Sequence, residues 1–201
     1  GFCRNGAEST PAVPIEILEK FQTLKPHIMH IAPQHVQGKV KSIAQYGNHK
    51  KDNMEEQKKK DEEYMKKAIL EAQKAFEEDE IPVGAIIVCR DRIISRAHNL
   101  TEMLCDVTAH AEMQAITSGA NMLGGKYLKD CTLYVTVEPC VMCAGAIGWA
   151  QISRVVYGAT DEKRGYSKFA PNALHPKTTV TSGVLEEECR LLMQDFFGRK
   201  R

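Results

Sequence analysis

Between Glu55 and Phe197 the apolar residues switch repeatedly between a helical and a strand period, and this switching narrows the fold more than any other feature. Tyr64, Met65, Ala68, Ile69, Ala72, Ala75 and Phe76 recur at helical spacing with charge on the other face, which predicts a helix over 55–78. Pro82 and Gly84 break it. Val83–Cys89 is a β-branched run, Arg90-Asp91 reads as a turn and Arg92–Ala97 as the return strand. After a polar loop, Thr108 is placed to cap a helix over 109–119, and Gly124-Gly125 closes that region. Cys131–Val137 (CTLYVTV) predicts a third strand, and Pro139 suits the first turn of a helix over 140–150. Ile152–Tyr157 predicts a fourth strand and Thr178–Val180 a short fifth, after a loop region over 158–177 with room for a short helix. Glu186–Phe197 closes the chain as a helix with three glutamates at its positive end. Strands alternating with helices imply an α/β sandwich.

The 201 residues suffice for one domain with a proper core and some excess. The excess lies at the start. Residues 1–53 hold four of the seven histidines (His27, His30, His35 and His49) with no cysteine or acidic partner at ligand spacing, and no sustained periodicity. They are expected to form a poorly ordered extension, with 54–201 as the globular domain. No apolar run reaches membrane-spanning length, and the start has no compact apolar stretch behind basic residues. The seven cysteines are odd in number and irregular in spacing. A disulfide framework is therefore not expected, and a reducing cytoplasm fits better.

A strong non-specific nucleic-acid binder is usually more basic than this chain, whose net charge is +1. Any nucleic acid must meet a local patch. From Gln151 onward nine Lys/Arg stand against six Asp/Glu, ending in Arg199-Lys200-Arg201. Charge alone does not separate such a patch from a solubilising tail.

The chemistry resides in His110-Ala111-Glu112 and Pro139-Cys140-Val141-Met142-Cys143. Alone, a His-x-Glu is common at helix starts, and a Cys-x-x-Cys serves redox chemistry or half of a structural zinc site. Together they are far more specific. Zinc takes imidazole nitrogen and thiolate sulfur in a tetrahedron. His110, Cys140 and Cys143 supply three ligands, no fourth sits at finger-like spacing, and a position stays open for water, as catalytic rather than structural sites require. Both motifs begin helices, whose positive ends favour thiolates. Glu112 is placed to reach that water without ligating, and to shuttle protons to a ring nitrogen and a leaving amine. This pattern is the known signature of zinc deaminases.

From about Asp61 to Arg201 the chain resembles the bacterial tRNA-specific adenosine deaminases of the cytidine deaminase-like superfamily. The matching pieces are IPVGAIIV (81–88), AHN (97–99), DVTAHAE (106–112), LYVTVEPCVMCAGA (133–146), VVYGATDEKRG (155–165) and GVLEEECRLLMQDFF (183–197). The resemblance implies a three-layer α/β/α sandwich with a mixed five-stranded sheet. It implies one Zn2+ per subunit on His110, Cys140 and Cys143, with Glu112 catalytic. It assigns Asn99 and the backbone around Ala111 to the target nucleoside, Asp161 and Lys163 to the anticodon backbone, and Phe197 and Arg199 to the RNA-facing end of the last helix. The implied substrate is the wobble adenosine of a tRNA anticodon stem-loop, converted to inosine by a homodimer.

Val107 stands where the family commonly has proline, and Arg164, Tyr166 and Phe169 stand in the 164–176 loop where small residues are common. The first departure removes no ligand; the second bears on the RNA contacts. Two other functions share the zinc motif: deamination of a free base or nucleoside such as guanine or cytosine, and RNA binding by a non-catalytic zinc protein. The basic ending and Lys163 favour RNA over a free base, and Glu112 beside an open metal position disfavours a purely structural zinc.

Overall fold

A computed structural model of the chain describes residues 43–200, with side chains described from Asp52. Helix α1 runs Ile43–Glu77 and so begins before Glu55. Met65, Ala68, Ala72 and Ala75, spaced three and four apart, are fully buried along one stripe, as the periodicity predicts. Disorder is expected for residues 1–53, of which 1–42 lie outside the described residues.

The hairpin follows as predicted. Strands β1 (Gly84–Cys89) and β2 (Arg92–His98) flank Arg90 and Asp91, whose φ angles of 50° and 58° suit a tight two-residue turn. Gly84 is needed for its lack of a side chain. A Cβ there would lie 2.1 Å from the Ala68 carbonyl oxygen and 2.3 Å from the Ala72 nitrogen, so α1 rests directly on β1.

Helix α2 spans Ala111–Leu123, two residues later than Thr108 capping would give. Thr108 is no cap: its hydroxyl and its N–H both donate to Asp106 Oδ1 at 2.8 Å. Strand β3 covers Cys131–Val137 as predicted, and helix α3 covers Val141–Trp149. Strand β4 is Arg154–Ala159, shifted from the predicted Ile152–Tyr157. Its frame is set by pairing with β3, Thr132 opposite Arg154 and Val137 opposite Ala159, which a β-branched run cannot reveal by itself. A short helix α4 (Tyr166–Phe169), strand β5 (Thr179–Thr181) and helix α5 (Glu186–Arg199) complete the order.

The sheet order is β2-β1-β3-β4-β5, antiparallel from β2 to β3 and parallel from β3 to β5. Alternate residues feed two cores. Ala85, Ile87, Leu133, Val135 and Val155 pack with Ala111 and Ala115 of α2 and with Ala144 and Ile147 of α3. Ile86, Val88, Tyr134 and Val156 pack with Met65 and Ala68 of α1 and Cys189 of α5. Helices thus cover both faces, giving the expected three-layer sandwich around a mixed five-stranded sheet. Burial on both faces explains the near-continuous apolar strands. The parallel unit β3-α3-β4 leaves an open end past the carboxyl ends of its strands, where α/β folds place ligands.

Candidate metal centre and its rim

His110 and Cys140 occupy equivalent positions. Each is the extended residue just before a helix, α2 and α3 respectively, and neither uses its side chain as a cap. Both side chains are therefore available to each other. His110 Nδ1 stands 3.7 Å from Cys140 Sγ and 3.5 Å from Cys143 Sγ. All three donor atoms lie within 4.8 Å of one another, and no fourth His, Cys, Asp or Glu joins them among the described residues. Tetrahedral zinc with ordinary Zn–N and Zn–S bonds holds nitrogen and sulfur about 3.6 Å apart, so the donor set fits that ion as it stands.

The electrostatics fit a cation. A hydrogen bond from the Cys143 thiol, helped by one from His110, pulls Cys140 down to about 4 against its burial. The Cys143 thiol is held up by being that donor and by burial. His110 is raised, chiefly by its bond to Cys140. The cluster thus holds one thiolate and shares protons that a metal displaces on binding.

Glu112 lies in the first turn of α2 and is buried. Burial pushes its carboxyl up to about 7. A carboxyl near neutrality both accepts and returns a proton, as general acid–base work requires.

Asn99, just past β2, is 4% exposed, and its Oδ1 accepts the Ala111 N–H at 2.9 Å. It thereby satisfies an orphan amide of α2 that the N-cap side chain leaves free. Ala111 is fully buried. Asp161 Oδ1 accepts the backbone N–H groups of Lys163 at 2.9 Å and Arg164 at 3.0 Å, shaping a turn that exposes Lys163. Of the two neighbouring phenylalanines, Phe196 is in the core and Phe197 is 44% exposed. Arg199 lies over the Phe76 ring, 4.3 Å from its centroid, and pairs with Asp195 at 3.0 Å. The structure therefore brings His110, Glu112, Cys140 and Cys143 together and sets Asn99 against Ala111, whereas the contacts of Phe197 and Arg199 are with Phe76, Asp195 and Phe196.

Two buried carboxylates escape the sequence. Glu80 accepts from Thr101 Oγ1 and from the backbone N–H groups of Glu102 and Met103, holding the loop between Asn99 and His110. Glu138 accepts from backbone on the other side of the centre. By composition both read as solvated charges. Only the residue just before Pro139-Cys140 offered a positional hint.

Residues 58–159 match the family model for the cytidine and deoxycytidylate deaminase zinc-binding region. A tRNA-specific adenosine deaminase of Bacillus subtilis (strain 168) is 47% identical over 146 residues, 70% of this chain and 91% of that protein. A solved structure from studies of A-to-I editing by tRNA:A34 deaminases at the wobble position of transfer RNA is 42% identical. The match covers 65% of this chain and 98% of that one, with a TM-score of 0.61. A guanine deaminase from Nitrosomonas europaea, 24% identical with a TM-score of 0.62 over 68% of this chain and 84% of that one, shares the fold.

Proposed function

Because this chain belongs to the zinc-binding cytidine and deoxycytidylate deaminase family, among its tRNA-specific adenosine deaminases, we propose that it deaminates the wobble adenosine of a tRNA anticodon to inosine. The observation that carries this reading is the three-donor cluster with a buried carboxyl of raised pKa beside it and no fourth protein ligand among the described residues. His110, Cys140 and Cys143 would hold the zinc. Zinc, when bound, acts as a Lewis acid that lowers the pKa of a coordinated water to about 7.

The protein's own groups do the rest. Glu112 takes one proton as water adds to the ring carbon bearing the amine and delivers it to the adjacent ring nitrogen; it then takes the second proton from the added hydroxyl and gives it to the amine, so the C–N bond breaks, ammonia leaves and the oxygen stays as the carbonyl. Asn99 has its oxygen committed to Ala111, so its amide nitrogen is the atom left to donate to a ring acceptor of the base. Ala111 fixes that orientation and, being small, leaves room for the base. The anticodon loop is single-stranded, so its bases unstack at little cost. Lys163, on the turn shaped by Asp161, takes a flanking phosphate, and Phe197 and Arg199 meet RNA further out.

The catalytic unit is 54–201, and it works as a homodimer. Trp149 is 83% exposed, with Val141 and Met142 also exposed on α3, which supports a second copy as their cover. Among the described residues no helix is long and apolar enough to cross a membrane, and the cysteines are all free. The free thiols support a cytoplasmic enzyme.

The decisive test incubates the zinc-loaded protein with a transcribed tRNA-Arg carrying A at the wobble position, reading inosine by sequencing, with free guanine and cytidine in parallel. Inosine at that one position is expected. Turnover of guanine or cytidine without tRNA editing would overturn the assignment.

A further inference from the structure

Glu138 is 3% exposed yet faces no cation among the described residues. A buried carboxylate is costly unless its oxygens are satisfied. Here backbone satisfies them: Oε2 accepts the Asp161 N–H at 3.1 Å and Oε1 the Ser167 N–H at 3.0 Å. These two amides bracket the turn that carries Lys163.

The same segment is stitched to the metal-ligand loop. The Tyr166 N–H donates to the Pro139 carbonyl at 2.9 Å, and Gly165 forms a β-bridge with Cys140. Gly165 is what lets the carboxylate in, since a Cβ there would lie 2.4 Å from Glu138 Cδ and Oε2. A continuous relay therefore runs from Cys140 through the chain to Glu138, across to the Asp161 N–H, and from Asp161 Oδ1 to the Lys163 N–H.

Only a carboxylate does this. Two inward N–H donors need two acceptors on one side chain, and glutamine would set its NH2 against one of them. We propose that Glu138 is a positioning residue for substrate RNA, fixing the Asp161–Lys163 turn at a set place relative to the metal centre. This rests on Lys163 contacting the RNA. Glu138 itself touches neither base nor metal. Its loss lets the turn move, so flanking nucleotides are held less well while the proton chemistry at Glu112 continues.

The experiment compares zinc-loaded full-length protein with Glu138→Gln, Lys163→Ala and the double variant, measuring kcat, KM for the tRNA transcript and zinc content. Ser167→Pro serves as a second route. It removes one of the two donors and leaves Glu138 intact, in the first turn of α4, where the helix itself makes no use of the Ser167 N–H. Glu138→Gln and Ser167→Pro should each raise KM on the order of tenfold, the factor equivalent to one hydrogen bond to a charged group. Zinc should stay, and the loss should fall on KM rather than kcat. The double variant should fall short of the product of the single effects, because both changes remove one contact. If Lys163→Ala raises KM and neither Glu138→Gln nor Ser167→Pro does, the positioning role is wrong and the RNA surface stands. If the losses appear in kcat or zinc, Glu138 serves the metal centre instead and the proposal is overturned. If Lys163→Ala also leaves KM unchanged, the RNA surface lies elsewhere and both fall.

Discussion

Replacing Arg154 with Met should loosen the anchor that ties α1 to the parallel half of the sheet. Arg154, at the start of β4, meets Asp61 of α1 through two bonds of 2.7 Å, one to each carboxylate oxygen, and a third at 2.9 Å to Thr181 of β5. Asp61 also accepts from the Tyr134 hydroxyl at 2.9 Å and from Gln57 at 3.0 Å. The Asp61 side chain is 5% exposed and that of Arg154 is 22% exposed. Removing one partner of such a buried pair typically costs 3–5 kcal/mol. Asp61 keeps two donors and Arg154 is partly open to water, so the low end applies, about 3 kcal/mol at pH 7. For a chain of this size that lowers Tm by about 6–12 °C. Burial alone would raise the Asp61 carboxyl, but the bonds from Arg154, Tyr134 and Gln57 together hold it below the ordinary carboxylate range. The pair therefore stabilises fully above the ordinary value near 3.9 and is lost as pH falls through the lower folded value. Without Arg154 the buried carboxyl accepts a proton more readily, so the gap between variant and parent should narrow toward pH 3. Urea unfolding of both proteins from pH 7 to pH 3 measures that gap, and effects common to both, the metal site included, cancel. A cost under about 1 kcal/mol at pH 7, or an equal cost at both ends, would refute the reasoning.

Glu112→Gln should lower kcat by about 10²–10⁴ while zinc content and melting stay near those of the parent, since it removes a proton carrier and no ligand; parallel loss of zinc would show a misassignment. Cys140→Ala should do the reverse and lose metal first, as read by metal analysis before any assay of turnover. Replacing Lys163 and Arg199 together with Ala should raise KM for tRNA and flatten its salt dependence by about one unit of slope per lost phosphate contact. An unchanged KM across salt would move the RNA surface elsewhere. Deleting residues 1–53 should leave editing intact, because residues 53–60 of α1 are exposed and the buried stripe begins at Asp61. Loss of activity in a well-folded truncation would assign the extension a part in RNA binding.

Local signals made much of this fold legible. Cys131–Val137 stands between a turn residue and a proline and is buried on both faces, so its apolar run could be read directly as β3. The Arg90-Asp91 turn and the last helix were equally plain. What failed was set by partners distant in sequence. The start of α1 shows no apolar stripe in the sequence, residues 52–60 are exposed, and Lys, Glu, Gln and Met sustain the helix there by propensity. The Asp61–Arg154 pair spans 93 positions. The cluster of His110, Cys140 and Cys143 was legible because an ion dictates the spacing of the donors that could hold it. The residues that frame the centre, Glu80 and Glu138, were not, because their partners are backbone amides, which every sequence has and no sequence marks.

His110 and Cys140 stand where a helix ordinarily puts a serine or an aspartate to close its first turn, and neither closes it. The metal is thus also a splice between two helix starts. Chelation cuts the splice unequally. The α2 start keeps the Asn99 bond at Ala111 from a neighbouring loop, while the α3 start has only the Cys140 sulfur itself, set against the Cys143 backbone. Amide exchange at residues 141–144 should therefore quicken first and most, while the strands behind them stay protected. Metal loss should thus show as one loosened helical end on an otherwise folded molecule, detectable as faster limited proteolysis near residue 141 after chelation.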